Sequence, residues 1–281
     1  MKQILFLFLL QIAHVSAQSK NITLLDNWQD TSLMSNSSQV RYSGLWTFSK
    51  GNDEYAVIGT TEGAAFLRLM ENNELLFIDS IEGNYASSQA ITREYKRYQN
   101  YIYAIGDEGD ASLQIIDISY LPDSVTLANE VQDERVGKAH TIHIDSVNAL
   151  LYLCSVTPIV NGQALGLVPL RVFSLDNPLE PVLLWEGFED LAEVHDMELR
   201  DQIAILNCGF DGIRVYDFST PAAPIYLSNL EFYQNQGYNH QGSLSPDMST
   251  YVFADETPGT RIKKCTISAD FDLQIQHNFG V

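Results

Sequence analysis

The chain reads as an all-β protein, a β-propeller built of four-stranded blades. Three observations predict it: one marker pattern recurs at near-constant spacing, each copy carries the same four short apolar segments, and no stretch shows the periodicity of an amphipathic helix. The marker is an apolar run closing on an acid or turn residue and a glycine. It occurs as YAVIGTTEG (Tyr55 to Gly63), YIYAIGDEG (Tyr101 to Gly109), IAILNCGFDG (Ile203 to Gly212) and YVFADETPG (Tyr251 to Gly259). From Gly63 to Gly109 is 46 positions, from Gly109 to Gly212 is 103, and from Gly212 to Gly259 is 47. The middle gap therefore holds two units. The missing copy is LLYLCSVTP (Leu150 to Pro158), its turn enlarged by an insertion that includes Val160 to Val168.

Each element follows from strand-and-turn composition. The first strand of each unit begins at GLWTFS (Gly44), TREYKRY (Thr92), HTIHIDS (His140), HDMELRD (His195) and HQGSLSP (His240). The marker run is the second strand. The third is AAFLRLM, LQIIDIS, LRVFSLD, IRVYDFS and RIKKCTIS, and the fourth is LLFIDSI, SVTLANEV, PVLLWEG, PIYLSNL and DLQIQHNF. The second and third strands are the most continuously apolar, as expected of strands buried on both faces. One small twisted sheet cannot bury both faces alone, whereas sheets stacked radially shield one another. Five blades are predicted, near 44–82, 92–131, 140–187, 195–230 and 240–279, with 44–281 as the propeller and 18–43 as an N-terminal segment. Within that segment NITLLDNW, Asn21 to Trp28, is expected to be a ring-closing strand.

MKQILFLFLLQIAHVSAQ places one basic residue, an apolar core and a small-residue cleavage site in the order of a secretory signal, residues 1–17, cleaved near Ala17. That apolar run is shorter than a bilayer span and no later run is longer, so export without a transmembrane segment is expected. The formal net charge of −20 repels phosphate backbones, which excludes nucleic acid as a charge-driven partner and favours cationic partners or metal ions. The cysteines, Cys154, Cys208 and Cys265, each lie within an apolar run. They read as buried free thiols, with a Cys154–Cys208 bridge as the alternative. Asn21 and Asn36 stand in glycosylation acceptor patterns.

NITLLDNWQD, YQNYIYAIGDEGDASLQIIDISYLPDS, KAHTIHID, NCGFDGIRVYDFSTPAAP and QGYNHQGSLSPDMSTYVFADETPG together resemble the LVIVD-repeat proteins, and more closely the bacterial choice-of-anchor B family. The resemblance covers nearly all of the chain after the signal. It implies an exported propeller tethered at the cell surface, and it assigns no activity. Family members carry a histidine where Thr92 stands, so one blade here lacks its leading imidazole. They also continue beyond the position of HNFGV. A six- or seven-bladed ring of which five blades are visible is therefore expected, with a closed five-bladed ring as the alternative.

His195-Asp196 resembles an acid-base pair, but neighbours on a strand point to opposite faces and cannot act on one another. His195 belongs instead with His140 and His240. All three open the first strands of their blades, so they are expected around the channel mouth, where they either fix blade register or ligate a divalent metal ion. The acids closing the second strands, Glu62, Asp107, Glu108, Asp211, Asp255 and Glu256, read as turn caps or as calcium-type ligands. His143 and His277 read as partly buried strand residues. No nucleophile elbow, HExxH pair, phosphate loop, dinucleotide fingerprint or CxxC motif is present. Two functions follow. One is a non-catalytic module binding a protein or glycan at the cell surface through Tyr85, Tyr233, Tyr238 and the Val160–Val168 insertion. The other is a metal-dependent hydrolase or lyase using His140, His195 and His240.

Overall fold

Runs of Val, Ile, Leu, Tyr and Phe bounded by Gly, Asn, Asp and Pro become 22 strands in a computed structural model, described for residues 22–188 and 190–279. The expected signal sequence and Asn21 lie outside the described residues. Blade one is β1 (Tyr42–Lys50), β2 (Asp53–Thr60), β3 (Gly63–Leu69) and β4 (Leu75–Glu82). Blade two is β5 (Arg93–Tyr98), β6 (Tyr101–Gly106), β7 (Leu113–Asp117) and β8 (Thr126–Val131). Blade three runs through β9 (Thr141–Asp145) and β10 (Leu150–Val156), is interrupted by the hairpin β11 (Ile159–Val160) and β12 (Gln163–Ala164), and resumes with β13 (Val168–Ser174) and β14 (Val182–Gly187). Blade four is β15 (Asp196–Arg200), β16 (Ile203–Asn207), β17 (Ile213–Asp217) and β18 (Ile225–Leu230). Blade five is β19 (Asn239–Leu244), β20 (Thr250–Asp255), β21 (Ile262–Ile267) and β22 (Leu273–Phe279). Each blade is an antiparallel meander hydrogen-bonded in sequence order, and the described residues contain no helix.

The first strands are innermost, packing β1 on β5, β5 on β9, β9 on β15 and β15 on β19. A register shift recurs between third and fourth strands in all five blades: at Phe66/Leu67, Ile115/Ile116, Val172/Phe173, Val215/Tyr216 and Lys264/Cys265. An extra residue at that point bends the strand and increases local twist, and every blade carries this distortion at the same place. A shared distortion lets successive sheets nest.

The core is divided among the four seams between successive blades. Phe66, Tyr95 and Ile102 fill the first; Tyr103, Leu151 and Phe173 the second; Tyr152, Leu206 and Phe218 the third; and Val215, Tyr251 and Phe253 the fourth. β10, with a neighbour on both sides, is buried at every residue, whereas in β20 only Tyr251 and Phe253 are buried, because among the described residues no blade packs on its far face. On that far face Val252, Lys264 and Thr266 are at least partly exposed. The far face of blade one is partly covered by residues 22–41, where Trp28 stacks on Phe77 at 6.0 Å and 7°. These residues form no strand; the expected ring-closing strand is an irregular arm tied down by contacts such as Leu75 N–H donating to Asp26 Oδ2 at 2.7 Å. All three cysteines are free and buried, with no bridge between Cys154 and Cys208.

Candidate metal site at the channel mouth

Inner strands of adjacent blades lie side by side, so residues at equivalent positions are brought together although about 50 positions apart in sequence. His140, His195 and His240 meet in this way. The His140 and His195 ring centres are 4.1 Å apart and those of His195 and His240 4.3 Å apart. His140 and His195 line a cavity of about 480 Å³ together with Asp107, Glu193, Glu256 and Tyr238, and His240 lies against His195.

Hydrogen bonds fix what each imidazole offers. His195 Nδ1 lies 3.0 Å from the His240 carbonyl, which only accepts, so Nδ1 carries the proton and Nε2 is left with a lone pair. His195 is 8% exposed; burial, with repulsion from the flanking His140 and His240, pushes its pKa down to about 4. It is neutral and ligand-ready at neutral pH. His140 Nδ1 donates to Asp107 Oδ2 at 2.8 Å, a bond that raises the His140 pKa. His240 Nε2 lies 3.6 Å from Glu256 Oε2. One ligand atom from each of His195, His240 and Glu256 falls within 4.8 Å of the other two. Two imidazoles and a carboxylate are a donor set suited to zinc and other divalent transition metals.

Tyr238 stands over this set with its ring edge-on to His195, 5.3 Å between centres at 87°. Burial raises its pKa, as does its hydrogen bond to Glu193. Gly209 makes the approach possible. It adopts φ +56, and a Cβ there would run into Glu193 Oε1 and the Tyr238 ring. Its backbone exchanges hydrogen bonds with Asn239 across the seam, Gly209 N–H to Asn239 O at 3.2 Å and the reverse at 2.9 Å.

A second cluster lines the channel along the inner strands. His143 Nε2 on β9 is 2.8 Å from Asp196 Oδ1 on β15. The carboxylate next to His195 in sequence thus pairs with the histidine of the preceding blade. Burial opposes ionisation of Asp196, and the hydrogen bonds from His143 and the Met197 amide outweigh it, leaving the carboxyl below its usual range. Burial raises the pKa of Glu94 and Glu198 beside this pair.

The acids closing the second strands separate by role. Asp107 orients His140, and Glu256 faces His240. Glu62, Glu108 and Asp211 cap backbone amides of Met34, Thr92 and Ala192 at 3.2, 3.3 and 3.2 Å. Asp255 is committed to the interior: its Oδ2 is 2.6 Å from Lys263 Nζ with both side chains 0% exposed, and its Oδ1 accepts from Tyr233 Oη at 2.8 Å. Neither Asp255 nor Tyr233 is therefore free to meet a ligand. Tyr85 packs over Gly109, and only Tyr238 of the three tyrosines lines the cavity. Of the Val160–Val168 insertion, Leu167 reaches it. His277 lies exposed on β22, away from the cavity.

Glu193, Phe210 and the His143–Asp196 pair were not singled out by sequence. Glu193 had one readable signal, an acid two positions before a strand-opening histidine. Phe210, 76% exposed in the turn between β16 and β17, had none.

No protein-family model matches the chain, and no curated protein matches it. Among solved structures it is similar to the periplasmic gluconolactonase PpgL of Pseudomonas aeruginosa, at 11% identity and TM-score 0.64, over 85% of this chain and 72% of that one. A protein from Lactobacillus plantarum is similar at 14% identity and TM-score 0.65, over 84% and 70%. The computationally designed Ika8 protein is similar at 14% identity and TM-score 0.52, over 86% and 62%. The fold is a β-propeller. Likenesses at such identities carry the architecture and leave the chemistry to the site.

Proposed function

We propose that the channel mouth holds one divalent transition-metal ion on His195, His240 and Glu256, and that the protein is a metal-dependent hydrolase. The observation that carries this is the convergence of those three ligand atoms within 4.8 Å of one another. An ion held by these three residues would supply a nucleophile by lowering the pKa of a bound water to near neutral. His140, oriented through Nδ1 by Asp107, lies against His195, and its Nε2 would be the nitrogen that takes up and passes a proton. In hydrolysis of a carbonyl compound the water oxygen bonds to the carbonyl carbon. The bond to the leaving oxygen or nitrogen breaks, and the proton released by the water reaches the leaving group through His140.

Elemental analysis of the dialysed full chain tests this. About one zinc, copper, nickel or iron per chain is expected, lost in His240→Ala and retained in His140→Gln. A folded wild-type chain that takes up no transition metal refutes the reading.

The signal-like pattern of residues 1–17 and the resemblance to the LVIVD-repeat and choice-of-anchor B proteins support placing this activity outside the cytoplasm, at the cell surface. A second reading, a surface module that binds a protein or glycan, is favoured by Phe232, 85% exposed in the loop leading to blade five. No helix among the described residues is long and apolar enough to cross a membrane.

A further inference from the structure

From the rim of the same cavity we infer the class of ligand it takes: an uncharged carbonyl-type chelator bearing an aromatic or other apolar arm, to the exclusion of phosphorylated compounds. The inference rests on the metal reading above and adds the specificity surface to it.

The lining of the cavity divides into a polar set, the His140 and His195 imidazoles with the carboxylates of Asp107, Glu193 and Glu256, and an apolar rim set, Leu167, Phe210, Tyr238 and Pro258. Phe210 projects into solvent from a tight turn, and Leu167, on the enlarged loop of blade three, is 46% exposed. Exposed large apolar residues are unremarkable singly and informative when they border one polar cavity. They are also aligned. The Phe210 ring meets Tyr238 edge-on at 5.2 Å and 81°, Tyr238 meets His195 at 5.3 Å and 87°, and His195 lies against His240 at 4.3 Å. This aromatic ladder runs from solvent to the metal-ligand set, so it offers the body of a ligand whose polar head reaches that set a surface along Tyr238 and Phe210.

Charge sets the second half of the inference. Asp107, Glu193 and Glu256 border the cavity, and among the described residues no lysine or arginine lines it. Phosphate recognition calls for guanidinium, ammonium, convergent backbone amides or enough metal charge to offset the dianion. One divalent ion on an anionic ligand set offers a single cation against three carboxylates, which disfavours a dianion and accepts a neutral carbonyl oxygen.

Calorimetric titration of the zinc-loaded full chain with acetohydroxamate and benzohydroxamate reads the rim directly, since the two chelators share a head and differ in a phenyl group. Benzohydroxamate is expected to bind roughly tenfold more tightly, the effect of burying a ring face. The ratio is expected to fall towards one in Phe210→Ser with Leu167→Ser; both side chains are exposed, so the fold is insensitive to their loss. Inorganic phosphate is expected not to displace benzohydroxamate. Equal affinity of the two hydroxamates, an unchanged ratio in the double variant, or displacement by phosphate each overturns the inference. If the chain takes up no zinc, neither hydroxamate registers; that outcome overturns the metal reading and this inference together, and is distinct from equal binding by both.

Discussion

Replacing Lys263 with methionine tests how much stability the buried ion pair inside blade five carries. Lys263 Nζ is 2.6 Å from Asp255 Oδ2 with neither side chain exposed, and it sits near the Tyr233 and Phe253 rings at 5.4 and 5.9 Å. Methionine keeps the length of the side chain and removes the charge. Asp255 keeps its donors, Tyr233 Oη at 2.8 Å and Gly237 N–H at 2.7 Å, but these bonds already exist in the native protein and do not offset the loss. Removing one partner of a buried pair costs about 3–5 kcal/mol. At about 2–4 °C per kcal/mol for a chain of this size, Tm falls by roughly 6–20 °C. In a stack whose units touch only their neighbours the loss falls on the last unit. Limited proteolysis is therefore expected to cut within 239–279 first. Adding Asp255→Asn removes the stranded charge and is expected to recover more than half of the loss. Urea denaturation followed by circular dichroism gives the numbers. A cost for Lys263→Met below about 1 kcal/mol, the range of a solvated surface pair, refutes the reasoning.

Asn207 is buried at the seam between blades four and five, its Oδ1 accepting from Tyr251 Oη at 2.6 Å and its Nδ2 donating to Asn239 Oδ1 at 2.7 Å. Asn207→Leu is expected to cost about 1–3 kcal/mol, and a double-mutant cycle with Tyr251→Phe should show coupling. Burial raises the Glu94 carboxyl, so its contribution is present at low pH and lost as pH rises through the folded value. Glu94→Gln is thus expected to be more stable than wild type at about pH 7.5 and equal to it near about pH 4, measured by thermal melts across that range. An advantage confined to acid would contradict it. Burial pushes the Cys265 thiol up to about 12 and those of Cys154 and Cys208 upward as well. A disulfide reagent is expected to find no reactive thiol in the native protein and three after denaturation; rapid native labelling would show that a seam opens.

The all-β architecture and the repeat were legible because glycine-closed apolar runs such as YIYAIGDEG and IAILNCGFDG carry both strand period and turn chemistry in a short window. The same positional logic brought His140, His195 and His240 to one place. What remained hidden crosses seams. Strand alternation shows that His195 and Asp196 face apart, but which residue of a neighbouring blade receives Asp196 depends on how the blades stack, and His143 of the preceding blade takes it. Asp255 and Glu256 look alike in sequence, yet one lies at 0% exposure against Lys263 and the other faces His240, because the strand ends between them. The arm 22–41 carries the apolar residues of a strand and forms none; Trp28 anchors on Phe77 instead of pairing.

The candidate site owns no blade. Asp107 comes from blade two, His140 from blade three, His195 from blade four, and His240 and Glu256 from blade five. Its dimensions are therefore a gauge of how squarely the sheets are stacked, in the way a vernier magnifies small offsets between two scales. A substitution deep in any of three seams, far from the mouth, would detune the donor spacing without touching a donor. Conversely, an ion seated on residues from two blades would act as a rivet, so that occupancy and mechanical tightness of the stack would rise and fall together.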